Sequence, residues 1–256
     1  MGRWWTIDPK ALDQPWQSPY CSMDNNPIWL TDELGDVVGD PIGPSYYATS
    51  MNARTLGFVV RSPVIAAMIG IVSPGSTNIS TNVVRIATRI GLQENAANEG
   101  SQVNAFRHTL WQATITKEFS ESTAKKVGNA HEKNPFVNLN VRVFKGKNAL
   151  SQADQTIDLL NNQIGRKIGK DNPNASMKEL ALKVLEYQYK NGLYTATENK
   201  DGSITVIQTK ISEEQYKKGI EIIKGLNNNG FTKAEQKARD KAAEKKIQQI
   251  DRGPKY

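Results

Sequence analysis

Both histidines of the chain, His108 and His131, fall inside one carboxylate- and amide-rich stretch, residues 94–132. Histidine is the side chain whose ordinary pKa lets it serve as a general base near neutral pH. At 3.6 residues per turn, Asn104, His108 and Gln112 share one helical face, with Trp111 beside the imidazole. Burying an amide, an imidazole and an amide in one stripe is costly unless each finds a partner, so the stripe points to a site rather than to packing. A second stripe comes later, where Asp154, Asp158 and Asn162 fall on a common face bordered by Asn161 and Gly165. Adjacent asparagines are unfavourable inside a helix and make more sense if an amide orients a ligand, a water or a histidine. The candidate catalytic set is therefore His108, His131, Glu132, Asp158 and Asn162, backed by Glu94, Glu99, Asn104, Arg107, Trp111, Asn161 and Arg166. Two chemistries are open to it. Asp158 or Glu132, bonded to one ring nitrogen, would fix a histidine tautomer for general-base work. Alternatively His108, His131 and Asp158 would give a divalent metal three ligands and leave a position for water. The plain alternative to both is two histidines satisfied in separate apolar interiors.

Three helices must position these groups. Ser101 reads as the N-cap of the first, whose apolar period runs through Val103, Phe106, Leu110 and Ile115. Ser120 or Ser122 starts the second, which carries Ala124, Val127 and Ala130 and stops before Asn134-Pro135. Helices joined by a few residues pack antiparallel, which would bring His131 back to the beginning of the first helix and beside His108. The third runs over 151–169, with Ile157, Leu160, Ile164 and Ile168 as its buried stripe. There Ser151 and Asp154 resemble a capping box, and Gly165 lets another group approach closely. A helical run from Thr81 or Asn82 precedes the set. After it come residues 135–150, a loop or short strands in which Phe136, Val137, Val141, Val143 and Phe144 are β-prone but irregular, then a helix from Met177 to Lys190 and two β-prone runs about Asp201-Gly202 that suit a hairpin. The fold class expected is mainly α, a helical domain with a small β-hairpin. It divides into an irregular or β segment 1–43, a linker and apolar lead-in 44–80, a catalytic domain 81–210 and a basic helical segment 211–256 broken at Asn227 to Gly230.

Composition narrows the classes. A chain of 256 residues with 38% hydrophobic and 23% charged residues is globular, and the single cysteine, Cys21, excludes a disulfide framework and a cysteine-built zinc site. The net charge of +7 suits nucleic acid or an anionic membrane, and much of it sits in the last forty-odd residues. No apolar run approaches the ~20 residues of a membrane helix. The apolar stretch 58–72 reads as a buried helix, or a strand and turn, closing the core, with membrane insertion as the alternative. The start lacks a charged-then-apolar leader, so export is expected to use a device other than a classical signal peptide.

The first segment is aromatic and punctuated by Pro, Asn and Gly, too short to cover its own tryptophans. Gly2, Arg3, Trp4, Asp8, Pro9, Ser18, Pro19, Tyr20, Asn25, Asn26, Pro27 and Ile28 resemble the end of the core of Rhs-repeat proteins. The resemblance implies a large β-cage shell followed by a variable C-terminal toxin. Many members cut themselves at a repeated Asp-Pro-x-Gly pattern; here Asp40-Pro41-Ile42-Gly43 fits, whereas Asp32-Glu33-Leu34-Gly35 lacks the proline. Further on, Asn104, Ala105, Arg107, His108 and Trp111, then Ala130, His131 and Glu132, then Asp158, Asn161, Asn162, Gly165 and Arg166 resemble an uncharacterised domain of bacterial polymorphic toxins.

These resemblances imply an antibacterial toxin delivered into a target bacterial cell, with a cognate immunity protein and the Rhs shell and secretion machinery as partners. A hydrolase is expected, and a nuclease first: a histidine or a His/carboxylate metal site activates water while Arg107 and Arg166 offset phosphate charge. The other readings are a hydrolase of lipid or peptidoglycan, with Glu94 or Glu99 as acid, and a non-enzymatic membrane-active or binding toxin. The substrate is accordingly nucleic acid or anionic lipid.

Overall fold

The computed structural model describes residues 51–94 and 99–251. The Rhs-like segment 1–43, with Cys21 and both candidate cleavage patterns, lies outside the described residues. Among the described residues the chain runs α1 (Met51–Arg61), α2 (Pro63–Ile69), α3 (Ile79–Ala87), α4 (Gln102–Glu118), α5 (Glu121–His131), β1 (Val143–Phe144), α6 (Ala149–Asp171), α7 (Met177–Lys190), β2 (Leu193–Glu198), β3 (Ile204–Thr209), α8 (Glu213–Gly225) and α9 (Lys233–Asp251). The chain is mainly helical. The hairpin at Asp201-Gly202 is present as β2 and β3, in antiparallel register from Leu193↔Thr209 to Glu198↔Ile204, and the short β1 widens it into a sheet of order β1-β3-β2.

The described residues form two compact units. The larger contains residues 67–128 and the residues from 135 onward; the smaller contains 51–66 and 129–134. In the smaller unit the Arg54 guanidinium donates to the carbonyls of Glu132 and Lys133, and the Thr55 hydroxyl donates to that of Ala130. These bonds tie the end of α5 to α1.

In the larger unit α4 is the central element. Ser101 caps it, its hydroxyl accepting from the Asn104 N–H at 3.1 Å, and Phe106, Leu110 and Ile115 are fully buried along the expected stripe. Each such side chain contributes roughly 1.5–3 kcal/mol of apolar transfer. α3 and α7 both pack against α4, and Val83 and Ile86 of the first and Leu180, Val184 and Leu185 of the second are buried. The broadest helix pairing is α4 with α6. Two glycines set its closeness: a Cβ on Gly165 would lie 2.3 Å from the Thr109 carbonyl oxygen, and one on Gly169 would lie 2.3 Å from that of Ala113. What approaches Gly165 is thus the α4 backbone. Since 165 meets 109 and 169 meets 113, the two helices run in the same direction. α5 turns back as expected: Lys170, late in α6, pairs with Glu121 at the start of α5, while Gly128 faces Gln112 and Asn162.

On its other side α6 buries Ala149, Ala153, Ile157 and Leu160 against Ile204 and Val206 of the sheet. Asn161 fastens that contact, donating to the Tyr194 carbonyl at 2.9 Å and accepting from its N–H at 3.0 Å. α6 begins two residues before Ser151, so the expected capping box does not form; the Asp154 carboxylate accepts instead from the Gly100 N–H at 2.7 Å. A capping box does start α8, between Ser212 and Gln215, and Asn227 shapes the break before α9 by accepting from the N–H groups of Asn229 and Phe231. α9 is held at its beginning, where Glu235 takes both ends of the Arg89 guanidinium and where Arg85 and Arg239 lie 3.9 and 4.4 Å from the centre of the Phe231 ring.

The apolar stretch 58–72 departs from its expected burial. It forms the end of α1 and the short α2, with Val64 and Ile71 71% and 82% exposed and Ile69 buried. A helix of two turns presents too narrow a face to bury every apolar side chain it carries, and Gly70, at φ 64, ends it against the Asn78 side chain. Among the described residues no helix is long and apolar enough to cross a membrane.

Candidate metal and catalytic site

α4 supplies His108 and α6 supplies Asp158, and the close approach of these parallel helices puts the imidazole Nε2 3.4 Å from Asp158 Oδ2. Both side chains are about nine-tenths buried. Glu132, directly after α5, is buried too, and His108, Glu132 and Asp158 each offer a ligand atom within 4.8 Å of the others. Two donors bound tetrahedrally at zinc-like distances stand about 3.4 Å apart, the His108–Asp158 separation. One nitrogen and two carboxylates form a donor set that suits a hard or borderline divalent ion such as Mn²⁺ or Zn²⁺. The arrangement is geometrically compatible with divalent-metal coordination.

Behind Asp158 lies an amide clamp. Asn104 Nδ2 donates to Asp158 Oδ1 and to Asp154 Oδ1, each at 3.0 Å, while Arg107 donates to Asn104 Oδ1. Burial pushes the Asp154 carboxyl up to about 6; the Glu99 charge raises it further, against the Gly100 N–H, Arg107 and Asn104, which favour the carboxylate. This fixes a pH signature. The folded state holds a proton on Asp154 that the unfolded chain releases near pH 4, so this group's contribution to stability is full below pH ~4 and is lost as pH rises through ~6. The expected loss is on the order of 2 kcal/mol. Urea unfolding at pH 4.5 and 7.5 checks it, and Asp154→Asn should remove that component of the pH dependence.

One turn along both helices sits a layer of amides. Arg166, its own pKa lowered by burial, donates to Gln112 Oε1 at 3.0 Å, which turns Gln112 Nε2 toward Gly128. Gln112 Nε2 and both amide atoms of Asn162 are fully buried and have no hydrogen-bond partner among the described residues. Unpaired buried amides cost stability, so Asn162→Leu, which keeps the branching and removes two desolvated polar atoms, is expected to gain about 1 kcal/mol in urea unfolding. A loss of stability would mean instead that these atoms are paired in solution.

The structure sorts the expected site residues. His108, Glu132 and Asp158 come together, with Asn104 and Arg107 behind Asp158 and Asn162 one turn away. Trp111 stands edge-on to the His108 ring at 6.4 Å, its indole N–H donating to the Ser80 hydroxyl. Asn161 serves the sheet, and Arg166 serves Gln112. Glu99 acts on Asp154, and Glu94 is exposed. His131 is exposed and stands outside the ligand group, which takes Glu132 in its place. His131 is the last residue of α5 and Glu132 the first beyond it, and across that step Glu132 is buried while its neighbour is exposed. Asp154 and Gln112 were not in the expected set. Their signal was present in the i,i+4 stripes Asp154/Asp158/Asn162 and Asn104/His108/Gln112.

No curated protein and no solved structure matches the chain. A family model described as a domain of unknown function (DUF6973) matches residues 72–193, a span that runs from α3 through α7 and includes every member of the ligand group.

Proposed function

We propose that the chain is the toxin end of an Rhs-type effector and acts as a metal-dependent hydrolase, with the phosphodiester of nucleic acid as first substrate. The observation that carries the hydrolase is the convergence of His108, Glu132 and Asp158 in a buried, acidic setting. The toxin reading is supported by the residues between Gly2 and Ile28 that resemble the end of an Rhs core. A divalent ion there would supply a Lewis acid and a bound water deprotonated near neutral pH. The chain's own contribution is to hold three ligand side chains, to keep Asp158 oriented through Asn104, and to offer Arg107 and the net charge of +7 to an anionic substrate.

The test expresses the full chain in a bacterial host, in the cytoplasm and separately in the periplasm, wild type beside His108→Ala. Growth arrest with loss of DNA or RNA from the cytoplasm, absent in the variant, is the expected result. Arrest from the periplasm alone would replace the nuclease with a hydrolase of envelope lipid or peptidoglycan. Equal arrest by wild type and His108→Ala in both compartments would remove His108 from catalysis.

A further inference from the structure

Asp154 neither belongs to the ligand group nor serves a helix cap, yet it is drawn into the interior beside Asp158, at a cost that burial of a carboxylate always carries. Its bonds show what the position does. Arg107 can only donate, so its contact with Asn104 fixes the amide with Oδ1 toward the guanidinium and Nδ2 toward the carboxylates. The two hydrogens of Nδ2 are then divided, one to Asp154 Oδ1 and one to Asp158 Oδ1. Asp158 Oδ1 thereby faces the Asn104 amide, and Oδ2 is the oxygen that faces His108 Nε2 at 3.4 Å. Asp154 is itself anchored to rigid backbone, because its Oδ1 also accepts from Gly100, whose carbonyl accepts from the Ala196 N–H of β2 at 2.8 Å. Gly100 has φ 62, and a Cβ there would lie 2.4 Å from that of Ala196, so this anchor depends on glycine.

We infer that Asp154 is a positioning residue of the metal site: acting through the Asn104 amide, it holds Asp158 with Oδ2 turned toward His108 and the ion. The inference rests on the reading of His108, Glu132 and Asp158 as metal ligands. What Asp154 contributes is an acceptor oxygen at a fixed point, which orients Asn104 as carboxylates behind metal ligands commonly do. Asparagine at 154 keeps that acceptor, since Oδ1 is the end that can face two N–H donors; leucine does not.

The experiment titrates Mn²⁺ alone into the full chain by calorimetry, at a temperature where melting curves show every variant folded. His108→Ala should lose binding, and wild-type affinity in that variant would overturn the metal reading itself. With His108→Ala defective, Asp154→Leu is expected to weaken Mn²⁺ binding by about 10–100-fold, and Asp154→Asn to bind within about threefold of wild type. Asp154→Ala serves in the same way if the leucine variant does not fold. Wild-type affinity in the leucine or alanine variant would overturn the positioning role. Equal losses in the asparagine and leucine variants would overturn it as well, because they would assign the effect to the charge of Asp154 and not to its acceptor oxygen.

Discussion

His108→Ala is expected to lower the rate of the proposed hydrolytic reaction by about 10³-fold or more, and His131→Ala to leave it within about twofold. The two substitutions remove the same chemistry from residues that the sequence alone treats as equals, so the contrast tests the structure directly. His108 offers a ligand atom within 4.8 Å of those of Glu132 and Asp158. A metal that polarises its bound water is worth several kcal/mol at the transition state, and each 1.4 kcal/mol is tenfold in rate. If the group holds such a metal, removing one of its three candidate ligands forfeits most of that. His131 is exposed at the end of α5 and stands outside the ligand group, so its removal takes no ligand atom from the site. Mn²⁺ titration and growth arrest of the two variants, measured side by side, check both halves. If His131→Ala were the inactive one, the ligand group assigned here would be wrong.

The difference between the two histidines also marks where sequence reading stops. Elements with a long apolar period and a clear cap were legible: α4 starts at Ser101 as its hydroxyl predicts, and α7 covers Met177–Lys190 as the spacing predicts. β1 was legible only in part: Val143 and Phe144 read as β-prone, but two paired residues carry no period, and their partners on β3 lie some sixty residues away in sequence. The amide and carboxylate stripes of α4 and α6 were legible because four residues return a side chain to the same face. That Glu132 and not His131 faces inward was not legible, because the step between them falls at a helix end and terminal residues are the least determined of any. The role of Asp154 was concealed for another reason. Ser-x-x-Asp looks local, while the partners that hold its carboxylate are Gly100 and Asn104, fifty or more residues earlier.

Gly165→Ala joins the fold to the chemistry and is expected to damage both. In an open helix the change would stabilise by up to about 1 kcal/mol, because alanine has the higher helix propensity. At 165 the new Cβ would lie 2.3 Å from the Thr109 carbonyl oxygen and 2.9 Å from Gln112 Cβ. A backbone oxygen already committed to a helix cannot swing aside, so α6 has to retreat from α4 by about an ångström. Such overpacking costs typically 1–3 kcal/mol, enough to reverse the sign of the propensity gain. The same retreat separates the helices that carry His108 and Asp158, now 3.4 Å apart, and stretches the Asn104–Asp158 bond. A misplacement of that size can lower catalysis by about 10²-fold while the chain stays folded. Gly225→Ala is the control, since at the end of α8 a Cβ meets nothing within 4 Å; it should be neutral or slightly stabilising. Urea midpoints and Mn²⁺ affinity of both variants give the answer. A Gly165→Ala chain as stable as wild type and with undiminished affinity would show that the close pairing of α4 and α6 is not what holds the ligand group together.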